Sequence, residues 1–205
     1  MIIFPESVKH WFRSCRMAGR RRLRAAVCLL LLFSLALPAV SVRAEYAPSN
    51  SSQLEPEDLT CRSAILVEAE TGEVIFEKNA DALIYPASTT KIMTTYLGLM
   101  LNDPDRMVTV SASAMDIPSD SSTIPLSIGE QVRFEDVLYT TMLRSGNEGA
   151  NVIAETVGGN IMNFVNLMNN AAQSFGCIST HFANPHGYHD ENHYSTAREM
   201  CPIAR

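Results

Sequence analysis

Lysine is nearly absent from this 205-residue chain: Lys9, Lys78 and Lys91 are all it has. Residues 1–44 hold eight of the 16 basic residues and one of the 22 acidic residues. The remainder therefore carries 8 basic against 21 acidic side chains, a formal net charge of −13. A surface that acidic repels phosphate backbones and anionic lipid headgroups, which argues against nucleic acid and anionic membranes as partners. Long apolar runs are also missing. The run that stands out, Ala25 to Leu37, has 13 residues, short of the ~20 that a spanning helix needs. No CxxC pair or other metal-like cysteine spacing is present, which removes the commonest structural zinc patterns. There is no internal repeat.

What is present begins with a leader. Arg20, Arg21, Arg22 and Arg24 precede the apolar run, and Val42-Arg43-Ala44 follows it. A basic cluster, a short apolar core and a small-residue site form the layout of a secretory signal peptide over residues 1–44. Cleavage is expected near Ala44, with export to the periplasm or cell surface. Met17 offers an alternative start that would give a leader of ordinary length. Cys15 and Cys28 leave with the leader, and Cys61, Cys177 and Cys201 remain. An odd number in an exported chain reads as buried free thiols, or as one disulfide with a spare thiol.

Residues 45–61 are polar, with Pro48 and Pro56, and read as a flexible lead-in. Ala64–Glu68 and Glu73–Glu77 alternate as strands around Thr71-Gly72, which predicts a hairpin. A helix is expected from Ser88 to about Leu101. Its apolar residues surround much of the circumference, the mark of a helix buried in a core. Val108–Val110 suggests a short extended piece, and Asp116–Thr123 a Ser/Asp/Pro loop. Further helices are predicted over Phe134–Leu143, from Glu148 to Gly158-Gly159, and from an Asn160 cap to Gly176. His181–Tyr194 reads as an irregular loop, and Thr196-Ala197-Arg198-Glu199 as a capping box opening a last helix. A two-stranded hairpin is not stable alone, so this order points to a missing C-terminal half.

Chemistry concentrates in three places. Ser88 and Lys91 lie three positions apart, one helical turn on the same face. A serine needs a base to become a nucleophile, and a lysine with a lowered pKa can serve. A helix start also supplies free backbone N–H groups for an oxyanion. The plainer reading of Ser88 is a helix N-cap. Ser145-Gly146-Asn147 sits between two helices. Gly146 permits a tight turn, Ser145 can relay a proton between Lys91 and a leaving amine, and the Asn147 amide can orient the lysine and bind a substrate carbonyl. The plainer reading here is an ordinary turn. Lastly, His181, His186, His189 and His193 with Asp190 and Glu191 raise a zinc site. Pro185 and Gly187 break any helix there, which favours a hydrogen-bonded loop.

The stretches Ser63–Val74 and Pro86–Thr94, then Leu143–Glu148, Asn184–His189 and His193–Ala197, occur in the order found in low-molecular-weight penicillin-binding proteins. From residue 62 onward the chain resembles the serine-type D-Ala-D-Ala carboxypeptidases among them. The resemblance implies an α+β, β-lactamase/transpeptidase-like fold, an antiparallel sheet with helices and a helical subdomain, of which residues 62–205 are the N-terminal part. It implies an acyl-enzyme on Ser88 with Lys91 as base, neutral in the free enzyme, Ser145 as relay, and Gly146 and Asn147 at the substrate. It also implies peptidoglycan pentapeptide as substrate, β-lactam antibiotics as inhibitors, and no cofactor or metal. The family's third motif, K-T-G, has no counterpart here. Membrane-anchoring tails belong to the same absent part, so anchoring is not encoded in this chain. Two rivals follow: a serine β-lactamase, which shares SxxK, and an inactive truncated fragment that binds at most peptidoglycan peptides. Ser-Gly-Asn in place of Ser-Asp-Asn argues against the first, and the missing third motif favours the second.

Overall fold

The computed structural model describes residues 54–205. The leader expected over 1–44, its cleavage site and most of the lead-in lie outside the described residues. The end of the lead-in is tied to its surroundings. Pro56–Asp58 forms a 3-10 turn capped by Glu55, Lys78 Nζ donates to the Leu59 carbonyl at 2.6 Å, and Asn79 Nδ2 donates to that of Arg62 at 3.1 Å.

The hairpin is present. Strands β1 (Ala64–Val67) and β2 (Val74–Lys78) pair antiparallel, Ala64 opposite Lys78 and Leu66 opposite Phe76. Gly72 takes φ 77 in the turn, a conformation that costs a residue with a Cβ about 1–2 kcal/mol. Helix α1 (Thr90–Leu101) follows, then β3 (Met107–Thr109), β4 (Gln131–Arg133), α2 (Phe134–Arg144), α3 (Asn147–Gly158), α4 (Ile161–Ser174) and α5 (Ala197–Ala204). Strands β3 and β4 form a second two-stranded sheet, with Val108 opposite Val132. The expected extended piece is β3; its partner was not foreseen.

The core lies among the helices. Met93 and Leu97 of α1, Phe134 and Leu138 of α2, Ile153 of α3 and Phe164 and Met168 of α4 are all buried. Each such side chain contributes about 1.5–3 kcal/mol by leaving water. Gly98 brings α1 close to its neighbours: a Cβ there would stand 2.8 Å from Leu138 Cδ2 and 3.1 Å from Ile153 Cγ2. The expectation of an all-round buried α1 needs correcting. Its buried face carries Thr90, Lys91, Met93, Thr94, Leu97 and Gly98, while Leu99, Met100 and Leu101 are exposed. Burial follows the packing of α2 and α3 on one side, and polar residues share that side.

The helix ends agree with the expected caps. Gly159 ends α3 at φ 75, and the Asn160 side chain accepts from Asn163 N at 2.8 Å to open α4. Asn160→Ala is expected to lower stability by about 1 kcal/mol, read as a shifted midpoint in urea with an unchanged slope. At α5 only half of the capping box forms. Thr196 Oγ1 accepts from Glu199 N at 3.0 Å, but the Glu199 carboxylate turns to the backbone N–H groups of Ile178 and Ser179 and to the Thr180 hydroxyl. Three donors outside the helix outcompete the reciprocal bond. Helix α5 docks on the hairpin through Arg198, which pairs with Glu77 and Asp81, each at 2.7 Å. No helix among the described residues is long and apolar enough to cross a membrane.

Candidate active site

Ser88 lies in a 3-10 turn, Ala87–Thr89, that leads into α1. The N-cap position of α1 falls to Thr89, and no side chain caps it, so the plainer reading of Ser88 as a cap fails. Ala87 holds φ 49, an uncommon conformation for a residue with a Cβ. Its carbonyl is packed against Gly187, where a Cβ would collide with it. This contact turns the chain so that Ser88 stands exposed above the buried Lys91.

Lys91 is 2% exposed. Its Nζ donates to Asn147 Oδ1 at 2.8 Å, to the His186 carbonyl at 2.8 Å and to Ser88 Oγ at 3.2 Å. Three N–H donors thus meet three acceptors. The longest bond goes to Ser88, and there a deprotonated amine would turn its lone pair. Burial pushes the Lys91 pKa down to about 8, against the opposing pull of the Glu148 carboxylate. The resemblance implies a neutral lysine in the free enzyme. At a pKa near 8 the neutral amine is about a tenth of molecules at pH 7 and half at pH 8.

Ser145 donates to Ser88 Oγ at 2.9 Å. The structure therefore brings Ser145 to Ser88, and no direct Ser145–Lys91 hydrogen bond is present among the described residues. The turn is made differently from the expected one. Ser145 takes the left-handed conformation, φ 59, as the C-cap of α2, while Gly146 sits at φ −62. Glycine at 146 answers to space: a Cβ would stand 3.0 Å from Ile124 Cγ1 and Cγ2. Asn147 is buried, its N–H donates to the Ser122 carbonyl at 2.9 Å, and it lines the cleft beside Ser88. With Oδ1 taken by Lys91, its Nδ2 donors remain for a substrate carbonyl. Gly146, expected to touch substrate, is buried under Ile124 and shapes the turn through that contact.

The histidine loop is hydrogen-bonded structure. Its two buried rings, His186 and His193, are both held neutral by burial, with pKa values lowered to about 4. His193 Nδ1 accepts from Ala183 N at 3.1 Å, so its Nε2 carries the proton and donates to Thr90 Oγ1 at 2.8 Å. His186 Nδ1 accepts from Tyr188 N at 3.1 Å. Together with the Thr94 hydroxyl donating to the Pro185 carbonyl at 2.5 Å, these bonds dock the 185–193 segment on α1. Cys61, Cys177 and Cys201 are free thiols, which settles that alternative for the described fold.

A cleft of about 340 Å³ opens over Ser88. Its rim carries groups that sequence reasoning missed. Tyr188 Oη donates to Asp120 Oδ1 at 2.9 Å across the mouth, and the Tyr85 and His189 rings meet edge to face at 4.6 Å. The Ser/Asp/Pro composition of 116–123 marked a loop without showing that it lines the cleft. A larger cleft of about 600 Å³, between the hairpin, α1 and α5, is lined by Ile65, Val67, Ile92 and Met200 and lies apart from this chemistry. An exposed serine over a buried lysine of lowered pKa, bridged to a second serine and an asparagine amide, has the parts for attack on a carbonyl and transfer of its acyl group.

That chemistry agrees with the relatives. A family model described as peptidase S11, D-alanyl-D-alanine carboxypeptidase, matches residues 49–205. The chain belongs to this family. It is 37% identical to D-alanyl-D-alanine carboxypeptidase DacA of Haemophilus influenzae over 82% of this chain and 44% of that protein. It is 33% identical to DacF of Bacillus subtilis over 86% of this chain and 46% of that protein. Among solved structures, penicillin-binding protein 5 of Haemophilus influenzae superposes with a TM-score of 0.68 at 37% identity, covering 74% of this chain and 46% of that one. A point mutant of Streptomyces K15 DD-transpeptidase superposes with a TM-score of 0.68 at 29% identity, over 71% of this chain and 60% of that one. The expected α+β, transpeptidase-like fold is thereby shown. The chain spans about half the length of the curated relatives it matches.

Proposed function

We propose that this chain carries the nucleophile half of a serine-type D-Ala-D-Ala carboxypeptidase, which removes the terminal D-alanine from peptidoglycan pentapeptide stems and is inhibited by β-lactams. The observation that carries this reading is the Ser88–Lys91–Ser145–Asn147 cluster, with Ser88 Oγ 3.2 Å from Lys91 Nζ and 2.9 Å from Ser145 Oγ. Neutral Lys91 takes the Ser88 proton as Oγ bonds to the carbonyl carbon of the penultimate D-alanine. The Ser88 N–H faces the developing oxyanion and Asn147 holds the substrate amide. The C–N bond breaks, and the proton taken up by Lys91 passes by way of the Ser145 hydroxyl to the departing D-alanine amine, which returns Lys91 to its neutral form. Water then hydrolyses the ester on Ser88. The basic cluster and apolar run of residues 20–37 support export, which would place the protein where this substrate lies.

Labelled penicillin bound to the full-length protein and mapped by peptide mass spectrometry is expected to sit on Ser88. Release of D-alanine from a diacetyl-Lys-D-Ala-D-Ala peptide is expected in parallel. A label on Ser145, or labelling spread over several serines, would overturn the assignment.

A further inference from the structure

Glu148 immediately follows Asn147 and has no part in the steps above. It is 1% exposed, which is rare for a carboxylate. Its Oε1 accepts from Ile124 N at 2.6 Å, and its Oε2 has no hydrogen-bond partner. A buried acid with one open oxygen is costly, so the fold keeps it against a penalty. The surroundings show what it holds. Ile124 packs on Gly146 and Gly149, and the Ser122 carbonyl two residues earlier accepts from Asn147 N at 2.9 Å. Glu148 thus fastens the 122–124 segment across the turn that carries Ser145 and Asn147. The same segment continues back to Asp120 and the rim of the cleft.

We infer that Glu148 is a positioning residue, whose carboxylate both clamps the 122–124 segment to the Ser145–Asn147 turn and carries a negative charge one residue along from Asn147, the acceptor that holds Lys91. The inference rests on the reading of Lys91 as the base. The carboxylate favours the protonated amine, opposing the effect of burial. The reactive lysine is thereby kept from losing its proton too readily, and its ammonium stays anchored on Asn147 and His186 between turnovers.

Other charges around Lys91 do not duplicate this one. His186 and His193, from the 181–194 segment, titrate near 4. Asp120, on the loop, is exposed and bonded to Tyr188. Helix α2 meets Gly149 with Thr141, which does not titrate. Helix α4 has no charged or titratable side chain. On α5, Arg198 is paired with Glu77 and Asp81, Glu199 with residues 178–180, Arg205 with the Ala69 and Glu70 carbonyls, and Cys201 is a free thiol at the far cleft.

The test is the pH profile of penicillin acylation in full-length wild type, Glu148→Gln and Glu148→Ala. Glutamine keeps the acceptor for Ile124 N and removes the charge. Its midpoint is expected to fall by about one pH unit, so that below pH 7 the variant acylates several-fold faster than wild type. Alanine loses the clamp as well, and is expected to show a lower plateau rate and a lower melting temperature. A purely structural role would leave the glutamine midpoint in place, and an unmoved or raised midpoint with normal adduct formation would overturn the inference alone. Absence of any adduct in wild type would overturn the Ser88 reading and this inference with it.

Discussion

Lys91→Arg is expected to lower the rate of acylation by penicillin at least about a hundredfold, the usual scale for a lost general base. Arginine keeps the charge but does not deprotonate near neutral pH. Its planar fork also cannot reproduce three bonds radiating from one nitrogen to Ser88, Asn147 and the His186 carbonyl. The wild-type profile gives a second reading of the same fact. With Lys91 as the proposed base, the neutral amine is the active form, and with its pKa lowered to about 8 acylation is expected to rise about tenfold per pH unit below that value and to level off above it. In the arginine variant that rise disappears. Near-normal acylation, or a profile flat through pH 6–9 in wild type, would show that Lys91 holds the site together without moving a proton.

Gly187→Ala has the largest effect expected on the fold around the site. A Cβ at this position collides with the carbonyl of Ala87 and stands 2.9 Å from Thr90 Oγ1. The backbone there is already left-handed, φ 82, so alanine adds conformational strain to the collision. Neither neighbour yields easily. Ala87 is itself held at φ 49, and Thr90 Oγ1 is bonded to His193. The expected loss is about 3 kcal/mol or more. Acylation should fall with it, since the adjacent His186 carbonyl is one of the acceptors of Lys91. A thermal melt and an acylation rate measured on the same preparation check both effects. A melt unchanged from wild type would mean that the 181–194 segment is loosely docked.

Much of this was legible in the sequence, for identifiable reasons. Helix ends announce themselves through side chains acting locally, so Asn160, Gly159 and Thr196 marked their boundaries. The hairpin followed from alternation around a glycine turn. Ser88, Lys91, Ser145 and Asn147 could be selected because serine–lysine spacing constrains a single helical turn, and because lysine is so scarce. Strand β4 escaped notice since Gln131-Val132-Arg133 has one apolar residue and owes its form to pairing with β3. The His186 carbonyl escaped for a deeper reason: every residue has a carbonyl, and only the docked segment shows which one meets Lys91. Gly146 was chosen correctly for the turn but for the wrong cause. The left-handed residue is Ser145, and glycine is there to make room for Ile124. Glu148 was placed at a helix start, with nothing local to show that it is buried.

The acceptors around Lys91 come from three separate stretches of chain: the turn at Ser88, the start of α3 at Asn147, and the loop at His186. The full set of three is made only when all three stretches are docked. On the function proposed above, penicillin reactivity would then be a clock for folding as well as a sign of chemistry. During refolding, labelling is then expected to await the closure between residues 88 and 186. A brief pulse of antibiotic at successive times would count the molecules that have reached that stage, separately from those that have merely regained helix.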